Sequence, residues 1–421
     1  MVRFVRGEAC IYQEEAVPIS GGTRSGSAEA AIVALCFTVS LIEGFDLQAI
    51  GVAAPMMAPA LGLSHYQAGL VFTAGVVGLV AGAGIGGVAA DRFGRKRVLL
   101  TLVALFSLCT IFTQIIASLD GLIAVRFLAG LGLGGGMPCL IAIGTDIAAP
   151  THRARIVTRM FCGSPLGGAL VSVAAWFVLR PWGWKALFLI GGIPPLLLLP
   201  ALALVLPETG SNYLPRASSP PVEPLHQLLW GDRRGAVTLL IWVIFAADLL
   251  TLYLLLNWLP SLVTSRGLSA ETGSLAAFCF NLGAFSGVLG LGILVDRFGP
   301  VWPIPGAYLG LLLAMGGLAA SATPLPIMIC STVAGFAVVG ALCTLYGVVP
   351  AYYPWSGRAS AVGAAVAVGR VGSIAGPFLA GTLLQLGLGA SSVAYSMVPV
   401  AFAALVCAVA LPIKAREGLL F

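Results

Sequence analysis

Along this chain apolar residues come in long, nearly continuous runs broken by short polar punctuation. Runs of this length recur at about 30–58, 66–90, 97–118, 120–144, 155–179, 184–206, 236–262, 271–295, 301–322, 325–349, 359–384 and 390–412. Each exceeds the roughly 18 residues that mark a helix able to cross a hydrocarbon core of about 30 Å. Backbone in lipid must satisfy its own hydrogen bonds, so each run predicts a membrane-spanning helix. Composition agrees: of 421 residues 59% are hydrophobic and 9% charged, whereas about a quarter of an ordinary soluble domain is charged.

The punctuation organises the runs. The longest polar interruption, PETGSNYLPRASSPPVEPLHQLLWGDRRG at 207–235, is rich in Pro, Ser and charge and leaves six runs on either side. GGVAADRFGRKR (86–97) closes the second run and LGILVDRFGP (291–300) closes the eighth, the second of its own half. That is the mark of a parallel internal repeat. The expected organisation is an all-α membrane protein of twelve transmembrane helices in two six-helix bundles. Its parts are an N-terminal tail (1–29), a first bundle (30–206), a linker (207–235), a second bundle (236–412) and a C-terminal tail (413–421). The opening MVRFVRGEACIYQEEAVPIS is polar, without an apolar segment or a small-residue cleavage site, and is read as no removable leader.

Charge placement orients the chain. Of 22 Lys and Arg residues, only Arg180, Lys185 and Arg266 fall on the outer side when the N-terminus is inside, and Arg126 and Arg370 lie within runs. The remainder gather on the cytoplasmic side, the positive-inside pattern, and both termini are expected in the cytoplasm. This sorting explains the net charge of +6 without an acidic partner. All of the nine cysteines except Cys10 fall within runs, without the spacing of a disulfide framework or zinc site, and read as small packing residues. None of Lys96, Lys185 and Lys414 sits in a Gly-Lys-Ser/Thr sequence, so no phosphate loop for ATP is expected. GLGLGGG (130–136) instead suggests close helix approach.

Ionisable residues inside a span are costly and are functional candidates by default. Glu43 and Asp46 share a helix face, while Gln48 points roughly the other way. Two ionised carboxylates on one face repel, which favours holding a proton between them. Counting the rise per residue puts Asp46 roughly 24 Å and Arg126 roughly 21 Å from the cytoplasmic side, so the two can meet. By the same count Asp248 and Arg370 fall near mid-membrane, roughly 18 Å and 17 Å up. Arg370 offers a fork that fits a carboxylate, which makes an anion its natural ligand; neutralisation of Asp248 is the alternative. Tyr253 and Asn257 lie four apart on the seventh run, with Phe278, Asn281 and Phe285 as a stripe on the eighth. Asp248 faces away from Tyr253 and Asn257 on an unbroken helix, so the three do not readily line one cavity.

The repeated loops resemble those of the major facilitator superfamily, with Gly87–Ala90 followed by Asp91-Arg92-Phe93-Gly94-Arg95-Lys96 as the signature between spans two and three. LIEGFDLQAIG in the first run, RFLAGLGLGGGMP in the fourth, NWLPSLV in the seventh and AVAVGRVGSIAGPFLAG in the eleventh are similar to the aromatic acid:proton symporters, most of all the 3-(3-hydroxyphenyl)propionate transporters among them. Relatives commonly carry an aspartate where Glu43 stands and an uncharged residue where Asp248 stands. The resemblance marks Glu43, Asp46, Arg126, Asp146, Arg358 and Arg370 as functional charges. It implies a proton-coupled importer of aromatic carboxylates in a bacterial inner membrane, working by alternating access.

In that scheme Arg370, Tyr253, Asn257, Asn281, Arg126 and Phe45 would hold substrate, and Asp46 and Glu43 with Arg126 would carry the proton. Asp91, Arg92, Arg95, Asp146, Asp296, Arg297 and Arg358 would gate. The partners expected are an aromatic carboxylate, protons and the lipid bilayer, with neither nucleic acid nor ATP. No cofactor or metal is expected, the proton gradient being the driving force. A proton-driven efflux antiporter of amphipathic molecules is the main alternative, since CGSPLGGAL (162–170) partly resembles the fifth-span signature of such antiporters. A membrane sensor would want an appended signalling domain. An enzyme fits least, because His65, His152 and His226 all lie outside the apolar cores.

Overall fold

The computed structural model describes residues 26–147, 156, 159–160, 162–207, 224–231, 234–354 and 357–418. Most of the N-terminal tail and linker, and the last three residues, lie outside that set. Twelve helices are long and apolar enough to span a membrane. In the first half they are α1 (Gly26–Ala60), α2 (His65–Phe93), α3 (Arg95–Thr113), α4 (Leu119–Ile147), α5 (Gly163–Trp182) and α6 (Lys185–Val205). The second half holds α7 (Gly235–Thr264), α8 (Ala270–Phe298), α9 (Pro303–Ala320), α10 (Pro324–Val348), α11 (Arg358–Gln385) and α12 (Ala390–Gly418), preceded by a short helix at Leu225–Trp230. No strand occurs among the described residues.

Local signals repeat between the halves. Ser64 caps α2 by accepting from Gln67 N–H, and Ser269 caps α8 by accepting from Thr272 N–H; each satisfies a donor the first turn leaves open. Each Asp-Arg-Phe-Gly loop ends its helix on a left-handed glycine, Gly94 at φ 91° and Gly299 at φ 73°, where a Cβ would be strained. The connectors before α2 and α8 (Gly62 and Gly267) and after α5 and α11 (Gly183 and Gly387) use positive φ in the same paired way.

Packing follows the repeat. In the first bundle α2 packs on α4, α1 on α5, and α3 on α4 and α6; in the second, α8 packs on α10, α7 on α11, and α9 on α10 and α12. Small residues make the closest of these contacts. Gly130 and Gly134 of α4 press on the carbonyls of Gly75 and Leu79 in α2, while Gly78 and Gly82 of α2 press on Phe127 and Leu131 of α4. Gly283 and Gly287 of α8 meet Thr332 and Phe336 of α10 in the equivalent way. Where lipid is as apolar as the side chains, such close backbone approach supplies dispersion contact that hydrophobicity cannot. The outer faces are correspondingly greasy, with Phe177, Leu197 and Leu204 exposed.

The bundles meet through α1 with α7, α2 with α11, and α5 with α8, a two-fold related set. Their polar and aromatic contacts gather toward the end where α1 finishes and α2 starts, here the upper end. Phe72 of α2 and Trp258 of α7 stack edge-on at 5.1 Å, Tyr66 N–H reaches Gln385 Oε1 at 3.4 Å, and Arg180 of α5 pairs with Glu271 of α8. At the lower end, which carries Asp91 and Asp296, no hydrogen bond or ion pair joins the bundles among the described residues.

Two boundaries differ from the pattern of apolar runs. The third run extends to about 118, but α3 ends at Thr113, because the apolar Ile115 belongs to the connector and is 68% exposed. The fifth run begins near 155, whereas α5 begins at Gly163 and most of the residues between lie outside the described set.

Candidate functional site

In the first bundle α1 carries Asp46 and Glu43 against α3 and α4. Asp46 is fully buried; Thr110 of α3 donates its hydroxyl to Oδ1 at 2.5 Å. Arg126 of α4 stands on its other side, with Nη2 3.7 Å from Oδ2 and donating to the Asp46 backbone carbonyl at 3.5 Å. The depth match read from the sequence thus corresponds to a contact. It is a loose one, since Asp46 Oδ2 and Arg126 Nη1 have no hydrogen-bond partner among the described residues. A buried ion pair held beyond hydrogen-bond distance gives back little of its desolvation cost, so a small shift or one proton changes its strength substantially.

Glu43 sits apart from that pair. It is buried, both carboxylate oxygens lack a hydrogen-bond partner among the described residues, and Oε1 occupies the space a Cβ on Gly136 of α4 would fill. The last glycine of GLGLGGG therefore makes room for a carboxyl, while earlier ones seat α4 on α2. The two acids share a helix face, but no common partner joins them.

In the second bundle Arg370 of α11 is half-buried and donates from Nη1 to the Tyr253 hydroxyl of α7 at 3.2 Å. No carboxylate lies within 4.0 Å of it among the described residues. Asp248 is not its counter-ion: that side chain turns to α9, where the Tyr308 hydroxyl donates to Oδ1 at 3.2 Å. This answers the facing problem on α7, whose opposite sides serve two environments. Asn257 is buried and donates to the Tyr253 carbonyl at 2.8 Å, its backbone lying against Gly51 of α1.

Asn281 reaches across to the other bundle. Its amide exchanges two hydrogen bonds with Gln48 of α1, at 2.9 and 2.7 Å, across the boundary between the bundles. Gly168 of α5 lies against both amides, and Gly167 presses on the Leu41 carbonyl of α1. The glycines of CGSPLGGAL accordingly have a packing role. Phe45 is buried with its ring against Gly191 of α6.

The loop charges form matched sets at the lower end. Arg92 lies over the Phe93 ring and Arg297 over the Phe298 ring, each at 5.3 Å, and Asp91 and Asp296 are exposed beside them. Arg95 pairs with Asp146 at the end of α4 and also donates to the Ala142 carbonyl at 3.4 Å. Arg358 donates to the Tyr353 carbonyl at 3.2 Å at the start of α11. Among the described residues no cluster of His, Cys, Asp and Glu is arranged to hold a metal ion.

Sequence reasoning passed over Thr110, Gln48 as a partner, and Tyr308. Gln48 carried a signal, being a polar side chain within an apolar run and opposite the acids; Thr110 and Tyr308 carried none, because their roles depend on which helix lies beside them.

Residues 36–324 match the model of the Major Facilitator Superfamily. The chain is 38% identical over 367 residues to the 3-(3-hydroxy-phenyl)propionate transporter of Escherichia coli K12, covering 87% of this chain and 90% of that protein. It is 33% identical over 389 residues to the gallate transporter of Pseudomonas putida, covering 85% and 86% respectively. A solved nucleoside transporter superposes with a TM-score of 0.73 at 14% identity over 92% of this chain and 99% of that one, a likeness of fold. The chain belongs to the Major Facilitator Superfamily and is a transporter, not an enzyme, related to carriers of aromatic acids.

Proposed function

We propose that the chain imports aromatic carboxylic acids of the hydroxyphenylpropionate or hydroxybenzoate kind together with protons, by alternating access of the two bundles. Arg370 carries this reading: it is a half-buried guanidinium deep in a membrane helix, held by the neutral Tyr253 hydroxyl and by no carboxylate among the described residues. A cation placed so has a strong claim on an anionic ligand, and a planar fork meets a carboxylate at two points. The relatives named for hydroxyphenylpropionate and gallate transport support an aromatic acid as that anion. Tyr253 would orient the guanidinium, and Asn257 beside it would offer an amide.

Asp46 would carry the coupled proton. Protonation removes the charge that Arg126 answers and leaves Thr110 holding a neutral acid, so the first bundle would respond to protonation through one loosened contact. Glu43, buried without a hydrogen-bond partner among the described residues, would share or relay that proton. The paired Asp-Arg-Phe-Gly loops, Arg95 with Asp146, and Arg358 would form the gate at the lower end, which is the cytoplasmic side if both termini are cytoplasmic in a bacterial inner membrane. The domain limits would follow the runs, with 30–206 and 236–412 as the moving units and 207–235 as their cytoplasmic tether.

Export of cationic amphipaths suits this site less well, because such a substrate would meet the guanidinium of Arg370 at the centre. The test is binding of 3-(3-hydroxyphenyl)propionate to purified protein. Arg370→Lys keeps the charge but loses two-point recognition, and affinity is expected to fall by about 1–3 kcal/mol, the scale of a hydrogen bond to a charged group. Unchanged affinity in the lysine variant would remove Arg370 from the site.

A further inference from the structure

Three carboxyl groups are buried among the described residues, and Asp248 is the one that the proposed proton pair and anion site leave unused. Its side chain is 0% exposed. Oδ1 accepts from the Tyr308 hydroxyl at 3.2 Å, and Oδ2 has no hydrogen-bond partner among the described residues. No Lys, Arg or His nitrogen lies within 4.0 Å of it among the described residues. An ionised carboxylate there would exchange full hydration for one hydrogen bond from a neutral phenol, far less than the loss. A proton resolves the mismatch. The neutral acid accepts from Tyr308 through its carbonyl oxygen and needs no counter-ion.

We infer that Asp248 is a second proton-binding site, in the C-terminal bundle, and that the proton it holds keeps Arg370 available to an anion. The second half of this inference rests on the reading of Arg370 as the anion site. The connection runs through α7 and its neighbours. Gly369, beside Arg370 in α11, lies against Phe245 and Leu249, which flank Asp248 along α7, and Tyr253 further along the same helix touches Arg370 itself. Tyr308 of α9 donates to Asp248, and Cys343 and Tyr346 of α10 are the other titratable side chains near it. Glu43 and Asp46, on the α1 helix that packs against α7, are turned toward α3 and α4. An ionised Asp248, although turned to α9 and out of contact with Arg370, would add a like charge to the bundle that receives a substrate carboxylate, and in a weakly screening medium that repulsion disfavours the anion. Proton and anion would then bind with positive coupling, each strengthening the other.

Two measurements on the full-length protein test this. In infrared difference spectra, the parent is expected to show a carbonyl stretch of a protonated carboxylic acid that Asp248→Asn lacks, while any band from Glu43 or Asp46 is common to both proteins. Tyr308→Phe keeps the band and moves it to higher wavenumber, since the carbonyl loses its donor; that shift decides the matter if the asparagine variant does not fold. A spectrum without such a band at Asp248, or without the shift, overturns the proton site.

The second measurement follows affinity for 3-(3-hydroxyphenyl)propionate by tryptophan fluorescence as pH rises. Asparagine is a permanent mimic of the neutral acid, and the acids of α1 are present in both proteins. The parent is therefore expected to lose roughly tenfold more affinity than Asp248→Asn, a coupling of ordinary size between two sites. Equal losses overturn the coupling. Arg370→Lys separates the two levels: normal binding in that variant would end the anion-site reading, while the infrared band would still report the proton on Asp248.

Discussion

Gln48 of α1 and Asn281 of α8 clasp one another through two reciprocal amide hydrogen bonds where the bundles meet, over a floor provided by Gly168. Both side chains are buried, so parting them exposes two side-chain amides to whatever replaces the clasp. That makes the pair a natural contact to break and remake if the upper end opens. Cysteines placed at both positions are expected to be bridged by a short, reducible bifunctional thiol reagent that stops transport, with reductant restoring it. Transport that continues at the parent rate with the bridge formed would show that the bundles do not separate here.

Asp46 and Glu43 differ in their surroundings, and their variants should differ too. Asp46→Asn keeps the Thr110 contact but removes the charge facing Arg126; it is expected to abolish accumulation driven by a proton gradient while sparing some exchange of substrate for substrate. Glu43→Gln is expected to be milder, because Glu43 shares no partner with the Asp46–Arg126 pair. Paired assays of accumulation and exchange on both variants check this. Equal loss in the two would mean that the acids act as one unit.

The fold was legible because the lipid demands it. Long apolar runs can be little other than spanning helices, and two Asp-Arg-Phe-Gly loops at equivalent places disclosed the repeat that the packing of α2 on α4 and α8 on α10 carries out. Depth counting brought Asp46 to Arg126, since a straight helix converts sequence position into height. It could not give azimuth between bundles. Neither the contact of Asn281 with Gln48 nor the place of the Phe45 ring against Gly191 could therefore be read from the chain. Asp248 faced away from Tyr253 on any helical wheel, but only the position of α9 supplies Tyr308.

The glycines of α4 make a prediction about stability. Gly134 lies against the Leu79 carbonyl with no room for a side chain, and backbone in a packed interface has little freedom to yield. Gly134→Val is expected to destabilise the protein by about 1–3 kcal/mol, the usual cost of overpacking, read as a lower melting temperature in detergent. Gly84, where an added Cβ meets nothing within 4 Å, is the control: Gly84→Ala should melt like the parent. Equal melting of Gly134→Val and the parent would contradict the close approach of α2 and α4.

Proton-coupled import is decided by uptake of radiolabelled 3-(3-hydroxyphenyl)propionate into proteoliposomes of one orientation, with and without an inward proton gradient. Accumulation above the external concentration is expected when the outside is acidic, with its collapse on adding a protonophore and its loss in Asp46→Asn. Accumulation indifferent to the gradient, or an outside-acid gradient that drives preloaded substrate out instead, would contradict proton-coupled import.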